Sequence, residues 1–164
     1  MSSMSMVDPT ISKFEAFPVD LTETVRDARD RFLSTYGLDT AGYTDPLFPI
    51  HIGPVVIKTK NPGLLPYHDL HHVATGFPSG VVGEAEISAF ELRAGFGSLL
   101  VFVLCLGAIV CGLFLSPRRV SRAWRMSRGA RGLYHTSVDY EALLSMTVAE
   151  LRSSLGLPVE GLAC

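Results

Sequence analysis

Several things are scarce in this chain, and each scarcity argues against a class of protein. Only 18% of its 164 residues are charged, and the mean hydropathy of +0.31 is high for a soluble protein. The net charge is −2 and the pI about 6.2, so no overall basic character points to nucleic acid. The three cysteines, Cys105, Cys111 and Cys164, are an odd number with two inside an apolar run. That pattern argues against a disulfide framework and for a reducing compartment. Neither a secretory signal nor an Arg-rich transit peptide is evident at the N-terminus. No internal repeat occurs. No Ser or Cys lies in a recognisable nucleophile turn and no Gly-rich phosphate loop is present, which disfavours hydrolases and nucleotide-binding enzymes.

What is present suits one mainly α domain, large enough to bury a respectable core. The expected architecture is a single compact helical domain with a long apolar helix and an irregular Pro-rich segment. Residues 1–19 are expected as a flexible N-terminal arm and residues 20–164 as the helical domain. Asp20-Leu21-Thr22-Glu23 reads as a capping box opening a helix to Tyr36, with Gly37 as its stop. Prolines at 46, 49, 54, 62 and 66 mark irregular chain, with a short extended piece at 55–59. Helices are expected over 64–75 and 80–93. Thr147-Val148-Ala149-Glu150 is a second capping box, opening a helix that Gly156 ends.

The stretch from Tyr67 to Glu84 concentrates the chemistry, with three of the five histidines, two carboxylates and three glycines. His68 and His72 stand four apart, on one face of a helix, where two neutral nitrogens can meet one cation. Asp69 lies about 100° round the same helix and can add a ligand or orient a histidine. Gly76-Phe77-Pro78-Ser79-Gly80 breaks the helix, and a second helix folded back would carry Glu84 to the histidine pair. Two His with one or two carboxylates suit zinc, with iron or manganese as competitors. The plainer reading is a satisfied pair of helical histidines. His71 points to another face and reads as a spare or supporting group, His51 as a loop residue, and Glu86 and Glu91 as surface groups.

His68-Asp69-x-x-His72, eleven residues and then Glu84 resembles the motif of the coenzyme Q (ubiquinone) biosynthesis protein 4 family. Gly76 and Gly83-Glu84 are similar too, as are the segments Arg125–Tyr134 (RMSRGARGLY) and Asp139–Leu157 (DYEALLSMTVAELRSSLGL). The resemblance spans roughly residues 64–157. It implies that His68, Asp69, His72 and Glu84 ligate a divalent metal, zinc foremost. It also implies action on a polyprenylated hydroxybenzoate, with oxidative decarboxylation at the ring carboxyl carbon, and a role in organising partner enzymes. The alternative is a non-catalytic prenyl-lipid-binding scaffold of the biosynthetic complex. Expected partners are the polyprenylated aromatic lipid, a membrane surface, other ubiquinone biosynthesis proteins and a second copy in a homodimer, without nucleic acid. No catalytic residue is assigned.

Residues 94–117 carry no charge over 24 positions, a run that can span a bilayer or form a helix apolar all round. Segments similar to the family flank it on both sides and belong in one domain, which favours a core or lipid-facing helix. Arg118, Arg122 and Arg125 follow on one helical face with Trp124 nearby. They suit a membrane surface or a lipid headgroup, or a simple solvated face. The expected location is peripheral, at the cytoplasmic face of a membrane or the mitochondrial inner membrane of a eukaryote, with a single transmembrane span left open. His68-Asp69-Leu70-His71-His72 also fits the His-x-x-His-His box of membrane desaturases. Those di-iron sites need several such boxes, and only His51 and His135 remain.

Overall fold

The computed structural model describes residues 15–44, 47–52, 55–60 and 63–163, with the backbone alone for 47–52 and 55–60. It is mainly helical. The helices are α1 (Val25–Tyr36), α2 (Leu65–Thr75), α3 (Val81–Ala94), α4 (Leu99–Leu115), α5 (Pro117–Met126), α6 (Tyr140–Ser145) and α7 (Val148–Ser154). A two-stranded antiparallel hairpin, β1 (Leu47–Ile52) and β2 (Val55–Lys60), stands between α1 and α2. The expected arm over residues 1–14 lies outside the described residues, as does Cys164. Phe17, assigned to that arm, is buried in the core, and its N–H donates to the Gly76 carbonyl at 2.8 Å.

Where α1 begins differs from the sequence reading. Asp20 does receive the expected return contact, its N–H donating to Glu23 Oε1 at 3.0 Å. Its own carboxylate turns instead to the Thr22 N–H at 2.8 Å. Thr24 becomes the cap, accepting from the Asp27 N–H at 3.1 Å. The cause is tertiary. Extended Thr24 pairs antiparallel with Thr147 at the start of α7, with Val25 N–H donating to Met146 O and Val148 N–H to Glu23 O. At the α7 end the Thr147/Glu150 capping box forms in full, and Gly37 and Gly156 take the left-handed conformation that ends helices.

The Pro-rich segment is less irregular than its prolines suggest. Val55, Val56, Ile57 and Thr59 are β-branched and favour extended chain. Pro49 faces Lys58 in the register, and a two-stranded ribbon has only edges, where a missing N–H is tolerated. The apolar run is also interrupted. Ala94 closes α3, residues 95–98 leave helical geometry, and Ser98 caps a 17-residue α4. At 1.5 Å per residue those 17 residues reach about 26 Å, short of the roughly 30 Å hydrocarbon core of a bilayer. Among the described residues no helix is long and apolar enough to cross a membrane.

α3 is the centre of the molecule, packed against α2, α4 and α5. Its small residues make that possible. A Cβ on Gly112 of α4 would stand 2.2 Å from the Ala85 Cβ of α3, so the two helices approach at van der Waals contact. Glu86 is buried here, not on the surface, because Arg119 of α5 forks onto it at 2.9 and 2.5 Å. The C-terminal end of α2 is tied down from outside. Buried Arg152 donates to the Ala74 carbonyl at 2.8 Å, while Leu162 and Ala163 N–H groups take the Thr75 carbonyl at 2.8 and 3.1 Å. Those contacts satisfy carbonyls that a helix end leaves open.

Gly83 meets the same crowding where α3 leaves the α2–α3 turn. A Cβ there would lie 1.8 Å from the Pro78 carbonyl oxygen. Gly83→Ala is expected to cost on the order of 1–3 kcal/mol through overpacking, read as a lowered Tm in thermal melts. Gly107→Ala on α4, where nothing lies within 4 Å of the new methyl, should stabilise by roughly 0.5–1 kcal/mol.

Candidate metal centre at an apolar cavity

α2 carries His68 and His72 one turn apart, their rings 4.9 Å apart and edge to face. Each ring is held by its Nδ1. His72 Nδ1 is 2.9 Å from the Phe77 carbonyl oxygen, which can only accept, so this nitrogen carries the hydrogen. His72 also stacks on Phe32 at 5.0 Å. His68 Nδ1 is 2.8 Å from Glu91 Oε1, again a donor to an acceptor. The two Nε2 atoms therefore turn toward each other at 3.3 Å.

Glu84, on the first turn of α3, completes the group. Its Oε2 lies 3.3 Å from His68 Nε2 and its Oε1 3.4 Å from His72 Nε2. The Ser79 hydroxyl donates to Oε1 at 3.4 Å. Ligand atoms of His68, His72 and Glu84 all lie within 4.8 Å of one another. Two imidazole lone pairs and a carboxylate facing one point repel each other unless a cation, proton or metal, sits between them. The donor set, with both Nδ1 hydrogens engaged, is the arrangement that neutral imidazole ligands require. The residues therefore fit a divalent ion.

Asp69 is brought close but not into that group. It is buried, and its Oδ2 accepts the Tyr43 hydroxyl at 2.6 Å. The 100° step round the helix aims it away from the Nε2 pair, toward the turn before the hairpin. His71 is neither spare nor exposed. It is fully buried between Phe90 and Tyr134, donates from Nδ1 to Glu91 Oε1 at 2.9 Å and accepts the Leu133 N–H on Nε2 at 2.8 Å. Glu91, read from sequence as a surface residue, is 1% exposed. Its Oε1 also accepts the Tyr134 hydroxyl at 2.6 Å, so one oxygen collects three donors. The signal for it was present: Glu91 stands seven residues after Glu84 and shares its helix face.

The electrostatics follow from these contacts. Burial works against charge on His68, but Glu91 and Glu84 outweigh it and hold the pKa well above the ordinary 6.5. Glu91 is pushed up by burial and drawn, on balance, well below 4.5 by His68 and His71. Glu84 is likewise lowered, with His72 and His68 outweighing burial. His71 goes the other way. Burial dominates and lowers it, in accord with an Nε2 that must keep its lone pair for Leu133. Burial raises Asp69 and pushes the Cys105 thiol up to about 12.

Beside the cluster lies a cavity of about 220 Å³ between α2, α3, α4 and the turn at 133–135. Leu64, Leu65, Leu100, Val101, Leu104 and Ala108 supply its apolar wall; His68, Glu84, Ser88, Glu91, Cys105 and Tyr134 supply the polar one. The opposite face of α4 is bare, with Leu99 75% and Phe114 86% exposed. Trp124, Arg118 and Arg125 are exposed on α5 and Arg122 is half-buried. The Arg93 guanidinium lies over the Trp124 ring at 5.1 Å. His135 lies away from the cluster, bonded to the Phe96 carbonyl at 3.0 Å, and the side chain of His51 is outside the described residues.

Fold and site together define a small helical protein with a two-histidine, one-glutamate cluster opening on an apolar cavity. Comparison with known proteins narrows this class. The family model described as coenzyme Q (ubiquinone) biosynthesis protein Coq4 matches residues 66–160, and the chain belongs to that family. It is 31% identical over 96 residues to the "Ubiquinone biosynthesis protein COQ4, mitochondrial" of Clavispora lusitaniae (strain ATCC 42720). That match takes in 55% of this chain and 29% of the relative, so the chain spans less than a third of that protein's length.

The cluster sets a pH profile for the metal-free protein. The raised pKa of His68 means its contribution is complete below 6.5 and lost as pH rises through the folded value. The lowered pKa values of Glu84 and Glu91 mean theirs is complete above 4.5 and lost as pH falls. Thermal melts in chelator should therefore show this part of the stability greatest between 4.5 and 6.5. His68→Gln should flatten both limbs of the profile.

Proposed function

We propose that this domain binds a divalent metal between His68, His72 and Glu84 and acts in ubiquinone biosynthesis on a polyprenylated hydroxybenzoate. The observation that carries the reading is the convergence of two Nε2 atoms and a carboxylate at the wall of an apolar cavity. Zinc suits two imidazoles and a carboxylate best; Asp69, which the family resemblance adds as a further ligand, accepts the Tyr43 hydroxyl here and would join only by turning toward the Nε2 pair. A bound divalent ion contributes Lewis-acid polarisation of the ring carboxylate or a ring oxygen. The chain's own residues do the rest. Glu84 and the histidines hold the polar head of the ligand next to the cluster. The leucines of α2 and α4 take the first units of the prenyl tail and keep water from them.

The reaction that this reading assigns is oxidative decarboxylation at the ring carboxyl carbon: the ring–carboxyl bond breaks, CO₂ leaves, a hydroxyl from water takes its place, and O₂ accepts the two electrons and two protons as H₂O₂, since zinc changes no oxidation state. The protein works peripherally at a membrane, the mitochondrial inner membrane in a eukaryote, beside other enzymes of the pathway. The bare apolar face of α4 and the exposed Arg118, Arg125 and Trp124 of α5 support the membrane part. An apolar helix beside an Arg- and Trp-bearing one can lie at headgroup depth. Since α4 lines the cavity on its other side, a lipid could pass from the bilayer to the site along one helix. A scaffold that binds the prenylated lipid without turning it over is the second reading. It is favoured by the aliphatic half of the cavity lining. A homodimer fits either reading.

Turnover of a purified polyprenylated hydroxybenzoate, in the presence of O₂ and with zinc, iron or manganese supplied separately, separates the two. Loss of the ring carboxyl group supports the enzyme; tight lipid binding with every metal and no turnover supports the scaffold. His72→Ala and Glu84→Ala are each expected to abolish zinc binding, measured by elemental analysis after dialysis, while far-UV circular dichroism stays helical. Metal retained in both variants would show that other residues bind it. Because His68 must release a proton to ligate, zinc affinity should rise about tenfold per pH unit until its raised pKa is passed.

A further inference from the structure

We infer that Glu91 is the positioning residue of this centre: its carboxylate orients His68 so that Nε2 faces Glu84 and His72. The inference rests on the metal-binding reading above and adds to it a residue outside the His-Asp-x-x-His…Glu motif.

α3 carries two buried carboxylates besides the half-buried Glu84, and they are used differently. Glu86 meets a full cation, with Arg119 forked onto both of its oxygens at 2.9 and 2.5 Å. That is the ordinary way to bury an acid. Among the described residues no Arg or Lys bonds to Glu91. Its partners are His68 Nδ1, His71 Nδ1 and the Tyr134 hydroxyl, all on Oε1, with only the Cys105 thiol at 3.5 Å on Oε2. Of these partners His68 is the one whose other ring nitrogen faces the cation site.

The rest of the arrangement serves to hold that carboxylate still. His71 cannot turn, because its Nε2 receives the Leu133 N–H at 2.8 Å and its ring lies between Phe90 and Tyr134. Tyr134 is brought onto Glu91 by the same segment, which is pinned to the end of α3 where the Gly132 N–H donates to the Ala94 carbonyl at 3.0 Å. A carboxylate accepting the Nδ1–H of a ligating histidine fixes the ring's tautomer and makes its other nitrogen a better donor to a metal. His72 has a neutral carbonyl in the corresponding place, so the two histidines are not equivalent.

The test uses the full chain with ¹⁵N-labelled histidine, in wild type, Glu91→Gln, Tyr134→Phe and, as a control, Glu86→Gln. Zinc affinity is measured by competition with a chromophoric chelator, and the imidazole N–H resonances are recorded in the metal-free protein. In Glu91→Gln the affinity should fall roughly 10- to 100-fold. The Nδ1–H signals of His68 and His71 should move upfield while that of His72 stays. Glu86→Gln should move none of these signals and leave the affinity unchanged. If Glu91→Gln does not fold, Tyr134→Phe carries the test. It removes one of three competing donors, so the His68 and His71 signals should move downfield.

Wild-type affinity with an unmoved His68 signal in Glu91→Gln, or an equal loss in Glu86→Gln, would overturn the role of Glu91. A wild-type chain that takes no zinc, yet whose His68 signal still depends on Glu91, would overturn the metal reading and support the orientation of His68 by this carboxylate.

Discussion

Two imidazoles whose Nδ1 hydrogens are already spent have only their Nε2 atoms left to take up a proton or a metal ion. Here each lies in front of the other, at 3.3 Å, with a glutamate closing the third side. That confrontation is unfavourable by itself and becomes favourable around a positive charge. The remainder of the fold maintains it. The left-handed Gly76 turn delivers the Phe77 carbonyl to His72. Arg152 and the C-terminal residues hold the end of α2 from which that turn departs. α3 then brings Glu84 and Glu91 to the two sides of His68 with one helix face.

The acids of α3 show how charge is apportioned in a chain with little of it. Glu86 is matched by an arginine and joins two helices. Glu84 and Glu91 are matched by histidines, which can exchange a proton for a metal ion. Burial raises the cost of every unpaired charge in this region, and the hydroxyls of Tyr43 and Tyr134 meet Asp69 and Glu91 with donors that bring no charge of their own. Nearby, α4 has a face lining the cavity and a face open to the outside, both apolar. A polar site and a greasy surface therefore share one helix wall, an arrangement suited to an amphiphilic ligand.

Local signals identified much of this. The capping box at Thr147, the stops at Gly37, Gly76 and Gly156, the helical pair His68/His72 and the acid at Glu84 are all consequences of spacing along a helix or of backbone freedom at glycine. They depend on neighbours a few residues away, and the helix repeat alone places them. The apolar run was equally plain, as was the helix over 80–93 before it; where between them the chain leaves helical geometry, at residues 95–98, was not. Glycines there suit both close helix packing and a break.

Contacts between distant parts of the chain decided the rest. Glu91 shared a helix face with Glu84, but spacing alone did not decide its burial, because α3 is buried on nearly every side and has no polar face against which an inward acid would stand out. Its fate depended on Tyr134, 43 residues on, as that of Glu86 depended on Arg119, 33 residues on. Asp69 turned to Tyr43, 26 residues before it, and the start of α1 shifted because α7 claimed its preceding backbone. The sequence by itself determined which side chains a helix would align. Only the tertiary structure decided which of them would be charged, buried and aimed at one another, because the groups that set those properties arrive from other helices.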